Sequence, residues 1–131
     1  MKKTIIVIVL ALLCLTSFAQ TYRYRASNLA IGSRNYYGNI VWGNWERCRV
    51  IITINVDDDY IKVYSDKEQN YVIIEVNDSY KDSNGSNMDF IAIDEEGIEC
   101  KLRLRVQNDG TMQFYSFYSN IAWVYSGLER I

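Results

Sequence analysis

The nine residues "IECKLRLRV", Ile98–Val106, decide the fold. Ile98, Cys100, Leu102, Leu104 and Val106 alternate with Glu99, Lys101, Arg103 and Arg105. Successive side chains of a strand point to opposite faces, so this segment buries one apolar face and exposes a charged one. A helix of the same residues would scatter its charges around the whole cylinder.

The same two-residue period recurs along the chain. Upstream, "CRVIITINV" places Cys48, Val50, Ile52, Ile54 and Val56 in line, and "YIKVYS" does so with Ile61 and Val63. "YVIIEV" places Val72, Ile74 and Val76 together, which puts Tyr71, Ile73 and Glu75 on the opposite, solvent-facing side. "MDFIAID" precedes the opening stretch, and "TMQFYSF" and "IAWVYS" follow it. Two weaker strands lead, one at Thr21–Ala26 and one within Asn35–Trp42.

Turn chemistry separates these runs. Asn108-Asp109-Gly110 and Asp94-Glu95-Glu96-Gly97 accept the positive φ of tight hairpins. The triplet Asp57-Asp58-Asp59 lies where the chain must reverse, and reads as a solvated hairpin tip. "SDKEQN" and "SYKDSNGSN" read as longer polar loops. The pattern predicts an all-β protein: an up-and-down antiparallel meander of eight or nine short strands, closing into a small β-barrel, round or flattened.

The N-terminus has a different character. "MKKTIIVIVLALLCLTSFAQ" has Lys2 and Lys3, then an apolar run of 11 residues from Ile5 to Leu15, then Ser17-Phe18-Ala19. A membrane span needs about 20 apolar residues. The segment therefore reads as a secretory signal peptide, residues 1–19, cut before Gln20. Leu13 is too large for the cleavage that a lipid-modified Cys14 would need. A single domain, 20–131, remains, with no further transmembrane segment. The expected location is outside the cytoplasm, periplasmic or secreted.

Composition narrows the chemistry. The chain has no histidine, which removes the commonest general base and metal ligand. Basic residues are dispersed, which excludes a phosphate-tracking surface for nucleic acid. The calcium-loop pattern fails in "YKDSNGSNMDFI": Asp82, Asn84 and Gly85 fit, but Tyr80 and Ile91 stand where carboxylates belong. Arg47 and Arg49 beside Cys48 alternate outward from it, so they do not activate the thiol. No catalytic residue, metal site or cofactor is expected.

Cys48 and Cys100 remain after leader removal. An oxidising compartment favours a disulfide. In a meander their strands run parallel, with both cysteines inward at the same end. A round eight-stranded barrel would set them on opposite walls, beyond the ~7 Å Cα separation a bridge permits. A flattened barrel would bring them together. Both a disulfide and a pair of buried thiols stay open.

The remaining signal is aromatic. "NYYGNIVWGNWERC" holds Tyr36, Tyr37, Trp42 and Trp45, and "FYSFYSNIAWVYS" ends with Trp123 and Tyr125 after Phe114, Tyr115, Phe117 and Tyr118. If the two segments meet at one barrel end, Tyr36, Tyr37, Trp42, Trp45, Trp123 and Tyr125 line a binding mouth for a small ligand or an extracytoplasmic protein. The expectation is a non-catalytic binding protein. The alternative is a small secreted enzyme inhibitor or interaction module acting through the loop Asp78–Asn87.

Gly43-Asn44-Trp45 resembles the Gly-x-Trp signature near the first strand of lipocalins, which implies a lipocalin-like barrel. More broadly, the chain resembles a group of uncharacterised small exported all-β proteins of gut Bacteroidetes. The resemblance lies in Trp45-Glu46-Arg47-Cys48, Cys100-Lys101-Leu102-Arg103-Leu104, Trp123-Val124-Tyr125 and the leader ending Ser17-Phe18-Ala19-Gln20. It implies export and an all-β fold, and no particular activity.

Overall fold

The computed structural model describes residues 21–131; the expected leader lies outside them. The described chain is all-β: β1 (Tyr22–Arg34), β2 (Ile40–Trp42), β3 (Glu46–Asn55), β4 (Tyr60–Tyr64), β5 (Gln69–Val76), β6 (Tyr80–Asp82), β7 (Gly85–Ile93), β8 (Glu99–Gln107), β9 (Met112–Phe117), β10 (Ile121–Ser126) and β11 (Glu129–Arg130). Eight of them form the wall in the order β1-β3-β4-β5-β7-β8-β9-β10, and β10 pairs back onto β1. Every pairing is antiparallel, so this is a closed up-and-down barrel with no free edge in its wall. No described helix is long and apolar enough to cross a membrane.

The interior is the alternating set. Val50, Ile52 and Ile54 of β3, Ile61 and Val63 of β4, Phe90 and Ala92 of β7, Cys100 and Leu102 of β8, and Phe114 of β9 form one buried cluster. Leu128, just past β10, joins it. The opposite face of β8 carries Lys101, Arg103 and Arg105 on the outside, as the alternation requires.

Three features correct the sequence reading. First, β1 is longer than Thr21–Ala26: its 13 residues run to Arg34. A register shift between Ala26 and Asn28 breaks the alternation, and Gly32 and Ser33 carry little strand signal. The extra length spans the barrel and pairs with β10 and β2.

Second, the inner face of β5 is reversed. Tyr71 and Ile73 are buried, whereas Val72 and Ile74 are 61% and 54% exposed. Ile73 pairs with Ala92 and Glu75 with Ile91, so Ile74 is the extra residue of a bulge. Glu75 faces water as expected, but because the bulge flips it outward.

Third, part of the polar segment Asp78–Asn87 is the β6–β7 hairpin, tied to the outer wall. The Asp82 carboxylate accepts from the backbone N–H groups of Asn84 and Gly85, and from the Asn87 amide. Asn87 itself is only 2% exposed. At Gly85 φ is +149°, and a Cβ there would stand 2.2 Å from the Val106 carbonyl oxygen. No side chain fits, which is why this polar stretch can approach β8 so closely.

The aspartate triplet closes the β3–β4 hairpin. Asn55 Oδ1 accepts from Asp58 N–H at 2.9 Å, and Asp59 takes φ +57°, a conformation aspartate tolerates.

Candidate functional site

Strand direction alternates around the barrel, so one end gathers the ends of β4, β7 and β9 and the starts of β5, β8 and β10. At this end lies an open depression of about 330 Å³. Its floor and one wall are aromatic: Tyr71 from β5, Tyr118 just after β9 and Trp123 from β10. Tyr118 and Trp123 stack, with ring centroids 5.2 Å apart and planes 24° from parallel. All three side chains point inward because each shares parity with a buried neighbour on its own strand.

A hydrogen-bond network holds this floor. The Tyr71 hydroxyl donates to Gln69 Oε1 at 2.7 Å, and Gln69 Nε2 donates to the Tyr125 hydroxyl and to Ser65 Oγ, each at 3.2 Å. The Tyr118 hydroxyl donates to Asp94 Oδ2 at 2.9 Å. Burial pushes the Tyr71 phenol up to about 12. Tyr118 is driven far higher, first by burial, then by Tyr71 and by its bond to Asp94. Both stay protonated donors across the physiological range. Trp123 Nε1 and Ser116 Oγ are buried with no hydrogen-bond partner of normal geometry among the described residues. Ser116 is the cross-strand neighbour of Trp123.

The opposite rim is acidic. Glu68 comes from the β4–β5 connection, and Asp94, Glu95 and Glu96 from the β7–β8 turn; Lys67 is the one basic lining residue. Asp94 is the structural member. Burial raises its pKa, but donors from Ile98 N–H, the Tyr118 hydroxyl and Glu96 N–H outweigh that and leave it lowered. Glu95 Oε1 accepts from the backbone and side-chain amides of Asn70 at 2.9 and 3.2 Å, which ties the two connections together. The side chains of Glu68 and Glu96 are exposed.

The six aromatic residues expected to line one mouth do not meet. Trp123 lines it. Tyr125 lies behind it, 2% exposed, and acts through Gln69. Tyr36 and Tyr37 sit at the β1–β2 turn, 97% and 83% exposed, edge to face at 5.7 Å. Trp45 is exposed between β2 and β3. Trp42 packs on the outer wall, edge-on to Tyr115 at 5.9 Å. Tyr115 stacks on Phe117, and Arg105 and Arg103 lie over these rings at 5.0 and 5.1 Å. This outer ladder is anchored by Arg103 on Asp89 and packs with Ala30 and Val124.

Sequence reasoning missed Tyr71, Gln69 and Asp94 as members of the site. The bulge in β5 hid the inward direction of Tyr71. Asp94 and Gln69 looked like turn punctuation, and only barrel closure brings them against Tyr118 and Tyr125.

The cysteines settle as separate thiols. Cys48 on β3 and Cys100 on β8 are both free. Their strands lie four places apart in a ring of eight, on opposite walls. Closure of the barrel thus overrules the disulfide that the expected export would favour. Burial pushes the Cys100 thiol up to about 11 and raises that of Cys48, so neither is an activated thiolate. No family model matches the chain, and neither the curated proteins nor the solved structures contain a match.

Proposed function

We propose that the protein is exported, to the periplasm or beyond, and acts as a non-catalytic binding protein that takes a small ligand at the barrel mouth. One observation carries this reading. The interior is filled by side chains along most of the barrel, but at one end the packing stops short and leaves an open, aromatic-floored depression of about 330 Å³. That volume is at the small end of ligand pockets. Its floor is preorganised, because Gln69, Tyr71, Tyr118 and Tyr125 are fixed by one another and by Asp94.

The alternative, an inhibitor acting through Asp78–Asn87, has less support. That segment is fastened to the barrel wall rather than projecting. The projecting element is the β1–β2 turn with Tyr36 and Tyr37.

The reading is tested by titrating a charge-diverse fragment library into the 15N-labelled mature protein. Shifts clustered on the Trp123 indole N–H and on Asn70, Glu95 and Tyr118, lost in Trp123→Ala, are expected. Binding mapped only to the Tyr36–Tyr37 turn, or no compound perturbing the mouth, would overturn it.

A further inference from the structure

We infer that the ligand of the mouth is a small organic cation: a protonated amine on an aromatic or apolar body that also carries a hydrogen-bond acceptor. This rests on the mouth being the binding site, and adds the chemical class. Three observations converge.

The first is charge. The depression is lined by four carboxylates, Glu68, Asp94, Glu95 and Glu96, against Lys67 alone. A concave site of one sign focuses its field and concentrates counter-ions of the other sign. Asp94 and Glu95 are engaged in holding the loops, whereas Glu68 and Glu96 stand exposed at the rim.

The second is the aromatic floor. The stacked Tyr118–Trp123 pair offers ring faces beside this acidic rim. Indole and phenol faces attract cations, and an apolar body gains contact on the same surface. Tyr118 donates its hydroxyl proton to Asp94, so its ring stays neutral and oriented.

The third is a buried polar atom left unsatisfied on a residue that lines the depression, the Trp123 indole Nε1. Trp123 Nε1 lacks a partner among the described residues, whereas its cross-strand neighbour Ser116, fully buried, does not line the depression and lies against the Tyr71 hydroxyl. Buried donors without acceptors are costly, so an acceptor on a bound molecule gains a hydrogen bond that the protein by itself leaves unmade. An anionic ligand would meet the acid rim, and a plain hydrocarbon would leave the indole N–H unsatisfied.

A matched series tests this with the mature protein. Tyramine, tyrosol and 4-hydroxyphenylacetate share one hydroxyphenyl body and differ in charge: cation, neutral and anion. Each is titrated at pH 7 and low salt, with the Trp123 indole N–H resonance as the readout. Tyramine is expected to bind at least tenfold more tightly than tyrosol, and 4-hydroxyphenylacetate more weakly still. Tyramine affinity should fall with added salt. Glu68→Gln/Glu96→Gln, which alters only exposed side chains, should weaken tyramine about tenfold and leave tyrosol unchanged. Equal binding of tyramine and tyrosol at the mouth would overturn the cation inference while leaving mouth binding intact. An absence of tyramine shifts at Trp123 would overturn it too. If the broader library also leaves the mouth untouched, the binding reading falls with it.

Discussion

Trp42 lies across Gly32. A Cβ at position 32 would stand 2.9 Å from Trp42 Cε3 and 2.6 Å from Ile40 Cγ2. The missing side chain lets the indole settle on the outer wall and reach Tyr115. A residue without a side chain in the long first strand thus binds the β1–β2 hairpin to the barrel. Gly32→Ala should destabilise the fold by about 1–3 kcal/mol through overpacking and expose Trp42. Chemical denaturation would show the cost, and fluorescence in a Trp45→Phe/Trp123→Phe background would show the exposure. The cost should shrink in a Trp42→Ala background; an equal cost in both would refute this account of Gly32.

The bulge at Ile74 makes neighbouring isoleucines differ sharply. Ile73 is 5% exposed within the buried cluster, and Ile74 is 54% exposed. Ile73→Ala should cost about 2–5 kcal/mol, whereas Ile74→Thr should stay within about 0.5 kcal/mol of the parent. Urea midpoints of the two variants decide the face assignment of β5. The regular alternation of "YVIIEV" predicts the reverse order.

On the outer wall, Arg103 Nε donates to Asp89 Oδ1 at 2.8 Å, with side chains 16% and 10% exposed. Breaking such a pair strands a poorly solvated charge. Asp89→Ala should therefore cost about 2 kcal/mol or more. Replacing both partners, as Asp89→Val/Arg103→Met, should recover much of that loss. A double-mutant cycle measures the coupling, and a coupling near zero would show that the pair contributes only shape.

Alkaline pH should unfold the protein from the mouth side of its interior. Burial raises the Cys100 thiol from 9.0 to about 11 and the Tyr71 phenol from 10.0 to about 12. The unfolded chain releases these protons first, so the folded state is favoured fully below about pH 9, and that preference is lost as pH rises toward 11–12. Urea midpoints should fall across this window, and Cys100→Ala should flatten the decline between pH 9 and 11. An unchanged slope in Cys100→Ala would place the alkaline sensitivity elsewhere.

Much of the fold was legible in the residues. Period-two alternation is a local property, set by strand geometry. "IECKLRLRV" and "CRVIITINV" therefore declared their inner faces, and Asp94–Gly97 and Asn108–Gly110 declared their turns, because glycine at positive φ is a local requirement too. The sequence by itself determined an all-β meander and its neighbours in order, and left open whether the two cysteines meet; ring closure put them on opposite walls. The tertiary structure decided which aromatic residues share a space. A one-residue bulge broke the alternation that would have left Tyr71 outside, a bare glycine drew Trp42 to the outside, and the curling of the wall into a barrel set Tyr118 against Asp94 and Tyr125 against Gln69. These are contacts between strands far apart in sequence, and their register depends on bulges and ring closure that no short segment specifies.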